Sequence, residues 1–341
     1  MPNFRTTVTS GLAEDPRTVL ASRFYRGLIQ VLSPSGPRSR LSILIYHRVL
    51  PEIDPLFPTE IDAKNFDAQM GQLAKCFRII PLLDAVKSLR QGSLPARAAC
   101  ITFDDGYADN AEIALPILQK HGLPATFFVA TGFLDGGRMW NDTVIELIRR
   151  APGQSLDLSA MGLGRFAIGS IPQRQQTIYA LLGKLKYLSM EARQLQVDEM
   201  RSRIPVMLPE NLMMTSHQVR QLHTSGMDIG GHTVNHPILA RMEKAVAQTE
   251  IASGKEVLEN IIRAPVKIFA YPNGKPGQDY HADHVEIIKN LGFEGALSTA
   301  WGAAKNGSDL YQLPRFTPWD NGNLRFMLRM VQNMMKVAET I

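Results

Sequence analysis

Two short stretches of the sequence carry side chains that could together hydrolyse a stable bond. Asp104 and Asp105 stand side by side in Ile-Thr-Phe-Asp-Asp-Gly-Tyr, after an apolar run. His232 and His236 lie four residues apart in the polar stretch Gly-His-Thr-Val-Asn-His-Pro. One carboxylate and two imidazoles can bind a divalent metal and leave a position open for water, while the second carboxylate remains available as a base. This combination predicts a metal-dependent hydrolase.

The elements that must position these residues are short strands. The apolar run Ala98–Phe103 precedes the two aspartates, and a brief strand at 228–229 precedes His232. We expect further strands at 41–47, 78–81, 125–130, 268–271 and 294–298, alternating with helices at 62–75, 83–91, 110–121, 216–225, 237–263 and 284–291. Such alternation predicts a parallel sheet with crossover helices. In α/β barrels the C-terminal strand ends form the active-site rim, so the two stretches are expected to meet there.

Three segments fall outside this alternation. Residues 1–40 are interpreted as a leader with a short helix at 15–32, followed by the breaker-rich Ser-Pro-Ser-Gly-Pro. Residues 133–214 do not alternate and include a polar, helix-forming stretch at 173–200, which predicts a helical insertion over the barrel mouth. The catalytic domain is expected to cover 41–320, with this insertion inside it. A C-terminal helix is expected over 321–341.

Composition excludes several classes of protein. Hydrophobic residues make up 45% of the 341 residues and charged residues 20%, which is the balance of a globular protein with a sizeable core. The net charge of +5 is spread along the chain without basic runs that contain aromatic residues, which argues against a nucleic-acid partner. Cys76 and Cys100 are too few for a disulfide framework and have apolar neighbours, so we expect both in the core.

The sequence shows neither a Sec signal nor an apolar run of the ~20 residues that span a bilayer. We therefore expect a cytoplasmic protein. Residues 24–32 are mildly amphipathic and could contact a membrane surface, although a helix that docks on the protein is the more common alternative. The pattern does not indicate an oligomeric state.

The two stretches together resemble the polysaccharide deacetylase superfamily, the NodB homology domain of carbohydrate esterase family four. Thr-Phe-Asp-Asp-Gly-Tyr is similar to one family motif and His-Thr-x-x-His to another, while Phe-Ala-Tyr-Pro-Asn-Gly at 269–274 is similar to the family's Pro-x-Gly loop. Leu-Ile-Tyr-His-Arg-Val at 44–49 and Leu-Pro-Arg-Phe at 313–316 resemble the branch involved in exopolysaccharide synthesis. The resemblance covers roughly residues 41–320 and implies an α/β fold, a distorted (β/α) barrel with fewer than eight strands.

The resemblance also implies roles for individual residues. The metal ligands would be Asp105, His232 and His236. Asp104 would be the general base, Thr233 would brace the histidine loop, and the backbone amide near Asn273 would help to stabilise the oxyanion. The metal in this family is usually zinc, although this ligand set also suits Co²⁺, Ni²⁺ or Mn²⁺.

The sequence departs from the family pattern at two positions. Ala270 stands where many members have an arginine that orients the base, and Leu297-Ser298-Thr299 lacks the histidine that protonates the leaving amine. We hypothesise that Arg315, which follows the last predicted strand, replaces that arginine. His47, at the end of the first predicted strand, is our candidate proton donor, although a structural histidine is an equal alternative.

Two aromatic side chains could stack on a sugar ring, namely Tyr107 and Trp301, with core packing as the equal alternative for Tyr107. The leading hypothesis is a metal-dependent N-deacetylase acting on an N-acetylated sugar in a polysaccharide, an oligosaccharide or a precursor. Hydrolysis of another non-peptide amide and a catalytically silent carbohydrate-binding protein remain open. The sequence does not identify the sugar, its linkage or its chain length.

Overall fold

The centre of the molecule is a curled sheet of eight strands in the computed structural model, which describes residues 16–318, 322–336 and 338–341. The ten strands of the described chain are β1 (Arg40–Tyr46), β2 (Arg78–Ile79), β3 (Ala98–Phe103), β4 (Thr126–Val129), β5 (Ser155–Leu158), β6 (Gly164–Ala167), β7 (Asp228–Gly231), β8 (Ile268–Ala270), β9 (Gly295–Leu297) and β10 (Ala304–Lys305). Eight of them form the central sheet, in the order β10-β1-β3-β4-β7-β8-β9, with β2 paired to β3. All these pairs are parallel except β1 with β10, and β5 and β6 form a separate hairpin.

Helices connect the parallel strands, as the crossover rule requires. The α-helices of the described chain are α1 (Pro16–Leu32), α2 (Ala63–Cys76), α3 (Leu82–Gln91), α4 (Leu115–His121), α5 (Trp140–Arg150), α6 (Ile171–Leu185), α7 (Met190–Arg203), α8 (Ser216–Thr224), α9 (Lys244–Ile262), α10 (Ala282–Asn290) and α11 (Asn323–Met335). Local sequence explains several ends. Ser170 and Thr215 begin α6 and α8 with capping boxes, and Gly92 and Gly122 end α3 and α4 in the left-handed conformation.

Residues 313–316 join the two edges of the curled sheet. Leu313 bridges Leu297 of β9, and Phe316 bridges Leu44 of β1, both in the parallel sense. The backbone N–H of Ser298 donates to the carbonyl of Leu313 at 2.8 Å, and that of Ile45 donates to Phe316 at 3.0 Å. This bridging segment closes the sheet as a further short strand would. The closed wall consists of the segment and the six parallel strands β1, β3, β4, β7, β8 and β9, which confirms the predicted distorted (β/α) barrel with fewer than eight strands.

The six parallel strands β1, β3, β4, β7, β8 and β9 are almost entirely buried on both faces, as expected for a parallel sheet covered by helices. Along β3, Ala98 and Cys100 belong to one buried cluster with α3, whereas Ala99, Ile101 and Phe103 belong to another that includes the outer helices. This alternation follows the two-residue period of a strand. Cys76 and Cys100 are buried free thiols, in agreement with the sequence.

The helices α5, α6 and α7 pack round a third buried cluster, to which each contributes side chains such as Leu147, Leu181 and Met200. The sequence predicted a long helix-forming stretch at 173–200. Instead, α6 ends at Leu185, and Ser189 caps the start of α7. The hairpin β5–β6 was missed, since its strands are short and largely exposed.

Two other predicted boundaries were wrong. The helix predicted at 237–263 begins only at Lys244, after a 3₁₀ turn at Leu239–Arg241. The helix predicted at 110–121 opens as a π-helical turn, Asn110–Ala114. Both irregular turns lie directly beside the motifs that sequence analysis singled out, where helical periodicity alone is a poor guide.

Some predictions fall outside the described residues, including the first 15 residues of the leader and the domain boundary at 320–321. In the described chain, no helix has the length and apolar character needed to cross a bilayer. The side chain of Phe24 on α1 is 67% exposed, together with Leu20 and Val31. Contact of this helix with a membrane surface remains a prediction.

Candidate active site

The two aspartates leave the sheet at the C-terminal end of β3. The N–H of Asp104 still donates to the carbonyl of Tyr46 at 2.9 Å, so its position is fixed by the strand ladder. Asp105 then adopts a positive φ of 76° and Gly106 one of 90°. A Cβ at Gly106 would lie 2.9 Å from Cγ1 of Val129, so only glycine fits this turn. The turn presents both carboxylates at the rim of the barrel.

The histidine loop follows β7 on the same rim. Thr233 and His236 have positive φ values of 67° and 50°. The hydroxyl oxygen of Thr233 accepts the backbone N–H of His236 at 3.0 Å and thereby fixes the loop. Four of the seven non-glycine residues with positive φ in the described chain lie in this site, namely Asp105, Thr233, His236 and Asn273. Strain of this kind persists where surrounding contacts enforce a functional geometry.

Helix α9 holds the histidine loop from the other side. A carboxylate oxygen of Glu250 accepts the N–H groups of Val234 at 3.1 Å and Asn235 at 2.8 Å. Gly254 lets the helix approach closely, because a Cβ there would lie 2.8 Å from the backbone of Thr233. The loop conformation therefore depends on a helix that carries no predicted catalytic residue.

Asp105, His232 and His236 converge on one point. Oδ1 of Asp105 lies 3.4 Å from Nε2 of His232 and 3.3 Å from Nε2 of His236. Ligand atoms of a tetrahedral site with metal–ligand distances of about 2.0–2.1 Å are about 3.3–3.4 Å apart, so these separations suit such an ion. The same Oδ1 is buried and has no hydrogen-bond partner among the described residues. The three side chains therefore fit a divalent metal.

The protonation states of Asp105 and His236 also suit metal binding. For His232, burial would lower the pKa, but Asp104 and Asp105 outweigh it and raise that pKa above its usual value. Nδ1 of His232 lies 2.8 Å from the carbonyl oxygen of Ala270, which directs Nε2 toward Asp105 as the free ligand atom. Burial lowers the pKa of His236 to about 4 despite the nearby carboxylates, so its ring is neutral at pH 7. Burial would raise the pKa of Asp105, but the two histidines outweigh it and hold that pKa well below its usual range.

Asp104 is held by Arg315, which lies on the bridging segment. Nη1 and Nη2 of Arg315 donate to Oδ1 and Oδ2 of Asp104 at 2.7 and 2.8 Å, and its Nε donates to the carbonyl of Ser298 at 3.0 Å. Both side chains are buried. Burial would raise the pKa of Asp104, but the charge of Arg315 and then that of His232 lower it below its usual value. Asp104 is therefore an ionised carboxylate beside the three convergent ligands.

A cleft crosses this site, with Asp105 in the floor between two cavities. One cavity, of about 270 Å³, is lined by His236, Asn273 and residues of α5, α6 and α7. The other, of about 360 Å³, contains His47, Tyr107 and Asp142. His47 itself is exposed, and its backbone carbonyl accepts a hydrogen bond from the side-chain amide of Asn110 at 2.9 Å.

Asn273 lies in the first cavity and has the positive φ of a tight turn, 59°. Its carbonyl accepts the hydroxyl of Thr299 at 2.7 Å. Its own N–H donates to no other described residue. A free backbone donor beside Asp105 is what the predicted oxyanion contact needs.

Of the two predicted sugar-stacking aromatics, Tyr107 adopts the core-packing alternative and Trp301 lies away from the expected position. Tyr107 is buried, its hydroxyl donates to Asp142 at 3.1 Å, and the guanidinium of Arg48 lies 4.8 Å from its ring centre. Trp301 lines a separate cavity with Arg315, and the ammonium of Lys336 lies 3.4 Å from its ring centre. Trp301 is therefore not brought to the cleft, because the end of α11 covers its ring.

Further residues line or support the site beyond the predicted catalytic set. Burial, with a further contribution from Asp105, raises the pKa of Asp142 to about 7, although Arg48 opposes the shift. Trp140 and Arg193 line the first cavity, and Glu250 anchors the histidine loop. The sequence did indicate Trp140-Asn141-Asp142 as residues that could line the cleft, with helix capping by Asn141 or Asp142 as an equal alternative, and all three line the two cavities. Glu250 and Arg193 cannot be distinguished from other charged residues of helices.

Known proteins resemble this chain in sequence. The family model for polysaccharide deacetylases matches residues 91–155 and 171–296. The protein YxkH of Bacillus subtilis (strain 168), whose name describes a polysaccharide deacetylase, is 22% identical over 279 residues, which are 81% of this chain and 71% of that protein.

Two solved structures share the fold. The deacetylase PplD of Streptococcus pyogenes, solved in complex with acetate, has a TM-score of 0.57 and 21% identity, covering 87% of this chain and 99% of that one. IcaB from Ammonifex degensii has a TM-score of 0.54 and 20% identity, covering 84% and 92%. The family match covers more than half of the chain and contains both aspartates and both histidines. The chain therefore belongs to the polysaccharide deacetylase family and is a deacetylase.

Proposed function

We propose that this protein removes N-acetyl groups from an N-acetylated saccharide by metal-assisted hydrolysis. The observation that carries the proposal is the convergence of Asp105, His232 and His236 beside Asp104, which Arg315 keeps ionised. The substrate is a polysaccharide, an oligosaccharide or a precursor. The segments 44–49 and 313–316 support a substrate of exopolysaccharide synthesis.

The three convergent side chains would hold the ion. When bound there, a divalent metal such as zinc lowers the pKa of a water to about 7 and polarises the acetamide carbonyl. The imidazole and carboxylate ligands suit Co²⁺, Ni²⁺ and Mn²⁺ as well.

Asp104 acts as the general base. Its two oxygens each accept one hydrogen bond from Arg315, and each keeps a second lone pair. Oδ2 lies 3.9 Å from Nε2 of His232, so the carboxylate is adjacent to the metal ligands. It takes a proton from the water that attacks the acetyl carbon. Arg315 is a positioning residue, because it acts on Asp104 and not on the substrate.

Two further groups complete the reaction. The backbone N–H of Asn273 donates to the oxygen of the acetyl carbonyl as negative charge develops there. When the carbon–nitrogen bond breaks, the sugar nitrogen needs a proton, and His47 supplies it from the second cavity. The products are acetate and a free amino sugar.

The deciding experiment measures acetate release by the zinc-loaded protein from N-acetylglucosamine oligomers, for wild type and Asp104→Asn. Wild type should release acetate, and Asp104→Asn should be slower by about 10²- to 10⁴-fold. Asp157→Asn, at an exposed position of the β5–β6 hairpin, is the matched control and should behave as wild type. If wild type and Asp104→Asn bind zinc and oligomer but neither releases acetate, the protein is a binder. If no metal binds, the proposed chemistry fails.

A further inference from the structure

Arg193 of α7 is a buried cation without a counter-charge. The residue is only 8% exposed. Within the described chain, no carboxylate pairs with its guanidinium and no group accepts a hydrogen bond from it. Its one specific contact is the ring of Trp140, whose centre lies 4.7 Å from the guanidinium carbon. Buried arginines normally pair with acids, because an uncompensated buried charge is costly.

Arg193 lines the cleft and also a neighbouring cavity whose lining includes Glu191 and Glu243. Arg193 lines the same cavity of about 270 Å³ as Asp105, His236 and Asn273. Lys186 at the end of α6 lines it too, and its ammonium forms no ion pair within the described residues. The only acidic side chain among the residues that line this cavity is Asp105, whose charge a bound metal would neutralise. The cavity is therefore positive on the side away from the metal ligands.

The cavity on the other side of Asp105 has the opposite character. Its lining includes the acidic side chains Asp54, Glu60, Asp142 and Glu146. Its cations are paired, since Arg149 binds Asp54 at 2.6 Å and Glu146 at 2.9 Å, while Arg48 binds Asp109 at 2.8 Å. The cleft is thus electrostatically asymmetric about the reacting centre, and unpaired cations occur only on the Arg193 side of its lining.

We propose that Arg193, supported by Lys186, binds an anionic group of the substrate, a carboxylate or a phosphate carried next to the N-acetylated sugar that is hydrolysed. The planar fork of a guanidinium suits both oxyanions. The ring of Trp140 holds the fork at one face and leaves its N–H edges for the ligand. The proposal rests on the deacetylase function for the identity of the reacting group, whereas the anion site itself can be tested without hydrolysis.

Binding tests the site directly. Methyl glucuronoside and glucose 1-phosphate carry the two anions but no acetamide, and they are titrated into wild type and Arg193→Gln by calorimetry. We expect one of them to bind wild type about ten- to a hundredfold more tightly than it binds Arg193→Gln. Arg193→Lys should show an intermediate affinity. Both proteins keep the metal ligands, so anion bound at the metal cancels in the comparison. Equal binding to wild type and Arg193→Gln, or no binding to wild type, would overturn the proposal.

Turnover then identifies the natural anion. Acetate release is compared among neutral N-acetylglucosamine oligomers, the same oligomers ending in a 1-phosphate, and oligomers alternating N-acetylglucosamine with glucuronate. Wild type should prefer one anionic series by at least about tenfold in kcat/KM, and Arg193→Gln should lose that preference. The ratio is independent of the fraction of folded enzyme. Arg201→Gln, an exposed change on the same helix, should keep it.

The two failures are distinguishable. If no oligomer releases acetate but the glucuronoside or the sugar phosphate binds through Arg193, the deacetylase proposal fails and the anion site stands. If acetate is released with equal kcat/KM from all three series, the anion site fails and the deacetylase stands. A uniform loss of kcat/KM on all series in Arg193→Gln would show that the stack with Trp140 only fixes α7 on α5.

Discussion

Arg315 and Asp104 form a two-pronged ion pair in the floor of the cleft, with nitrogen–oxygen distances of 2.7 and 2.8 Å. Arg315 belongs to the segment that joins β9 to β1, whereas Asp104 follows β3 in the middle of the sheet. The same segment therefore closes the barrel and holds the proposed base in its ionised state. Closure of the fold and the position of the proposed base are coupled through this contact.

Replacing Arg315 tests this coupling. In Arg315→Ala, burial acts on Asp104 without the opposing charge, so its pKa should rise. The acidic limb of kcat/KM against pH should move to higher pH, and the free energy of unfolding should fall by about 3–5 kcal/mol. Arg315→Lys keeps the charge but not the two-pronged contact. Its acidic limb and its free energy of unfolding should lie between those of wild type and Arg315→Ala. An unchanged pH profile in Arg315→Ala would refute the positioning role.

His47 is expected to matter only when the leaving group needs a proton. His47→Asn should lower acetate release from N-acetylglucosamine oligomers by about 10²-fold or more. Hydrolysis of p-nitrophenyl acetate, whose leaving group departs as a stable anion, should change much less. His217→Asn on α8 is the matched control. Equal losses on both substrates would assign His47 a structural role.

The sequence predicted those features that depend on local pattern. Apolar runs located the main parallel strands within a few residues, and the motifs placed Asp104, Asp105, His232 and His236 at strand ends, where the structure has them. A buried parallel strand and the polar turn after it are short-range features. They can therefore be inferred from a single sequence without knowledge of the tertiary contacts.

Contacts between segments that are distant in the sequence were harder to predict. The sequence placed Arg315 on the correct rim but could not show its fork to Asp104, which depends on residues 313–316 entering the sheet. Trp301 was expected at the cleft, yet α11 folds back over its ring. In the sequence, Arg193 is one of many charged residues in a polar helix. Only the structure shows that it is buried against Trp140.

Gly254 of α9 should control the histidine loop from a distance. In Gly254→Ala the new methyl group would meet the backbone of Thr233 at 2.8 Å, so either the loop or the helix must shift. We expect zinc affinity to fall by about tenfold or more, measured by competition with a chromophoric chelator. Gly27→Ala on α1, where nothing lies within 4 Å, should leave zinc affinity unchanged and stabilise the fold by about 0.5–1 kcal/mol. Equal zinc affinity in both variants would contradict the argument.

Metal removal should destabilise the protein through linkage. A ligand present at a hundred times its Kd adds about 2.7 kcal/mol to the free energy of unfolding, and a chelator should remove that increment. His236→Ala removes one of the three ligands and should make the melting temperature independent of zinc. The His217→Asn protein should keep the zinc response of wild type. A wild-type melting temperature that does not respond to zinc would argue against a resident metal.

Asp142 should make stability depend on pH in the opposite sense to an ordinary ion-paired carboxylate. Burial raises its folded-state pKa from 3.8 to about 7, so the folded protein binds this proton more tightly than the unfolded chain does. The free energy of unfolding should therefore rise as pH falls from 7 to 4, by at most about 4 kcal/mol from this group. Asp142→Asn mimics the protonated form and can still accept the hydroxyl of Tyr107. Urea unfolding should show the variant to be more stable than wild type at pH 8 and close to it at pH 4. Asp157→Asn should not show this gain in stability at pH 8. A stability difference that is constant across this range would mean that Asp142 does not titrate there.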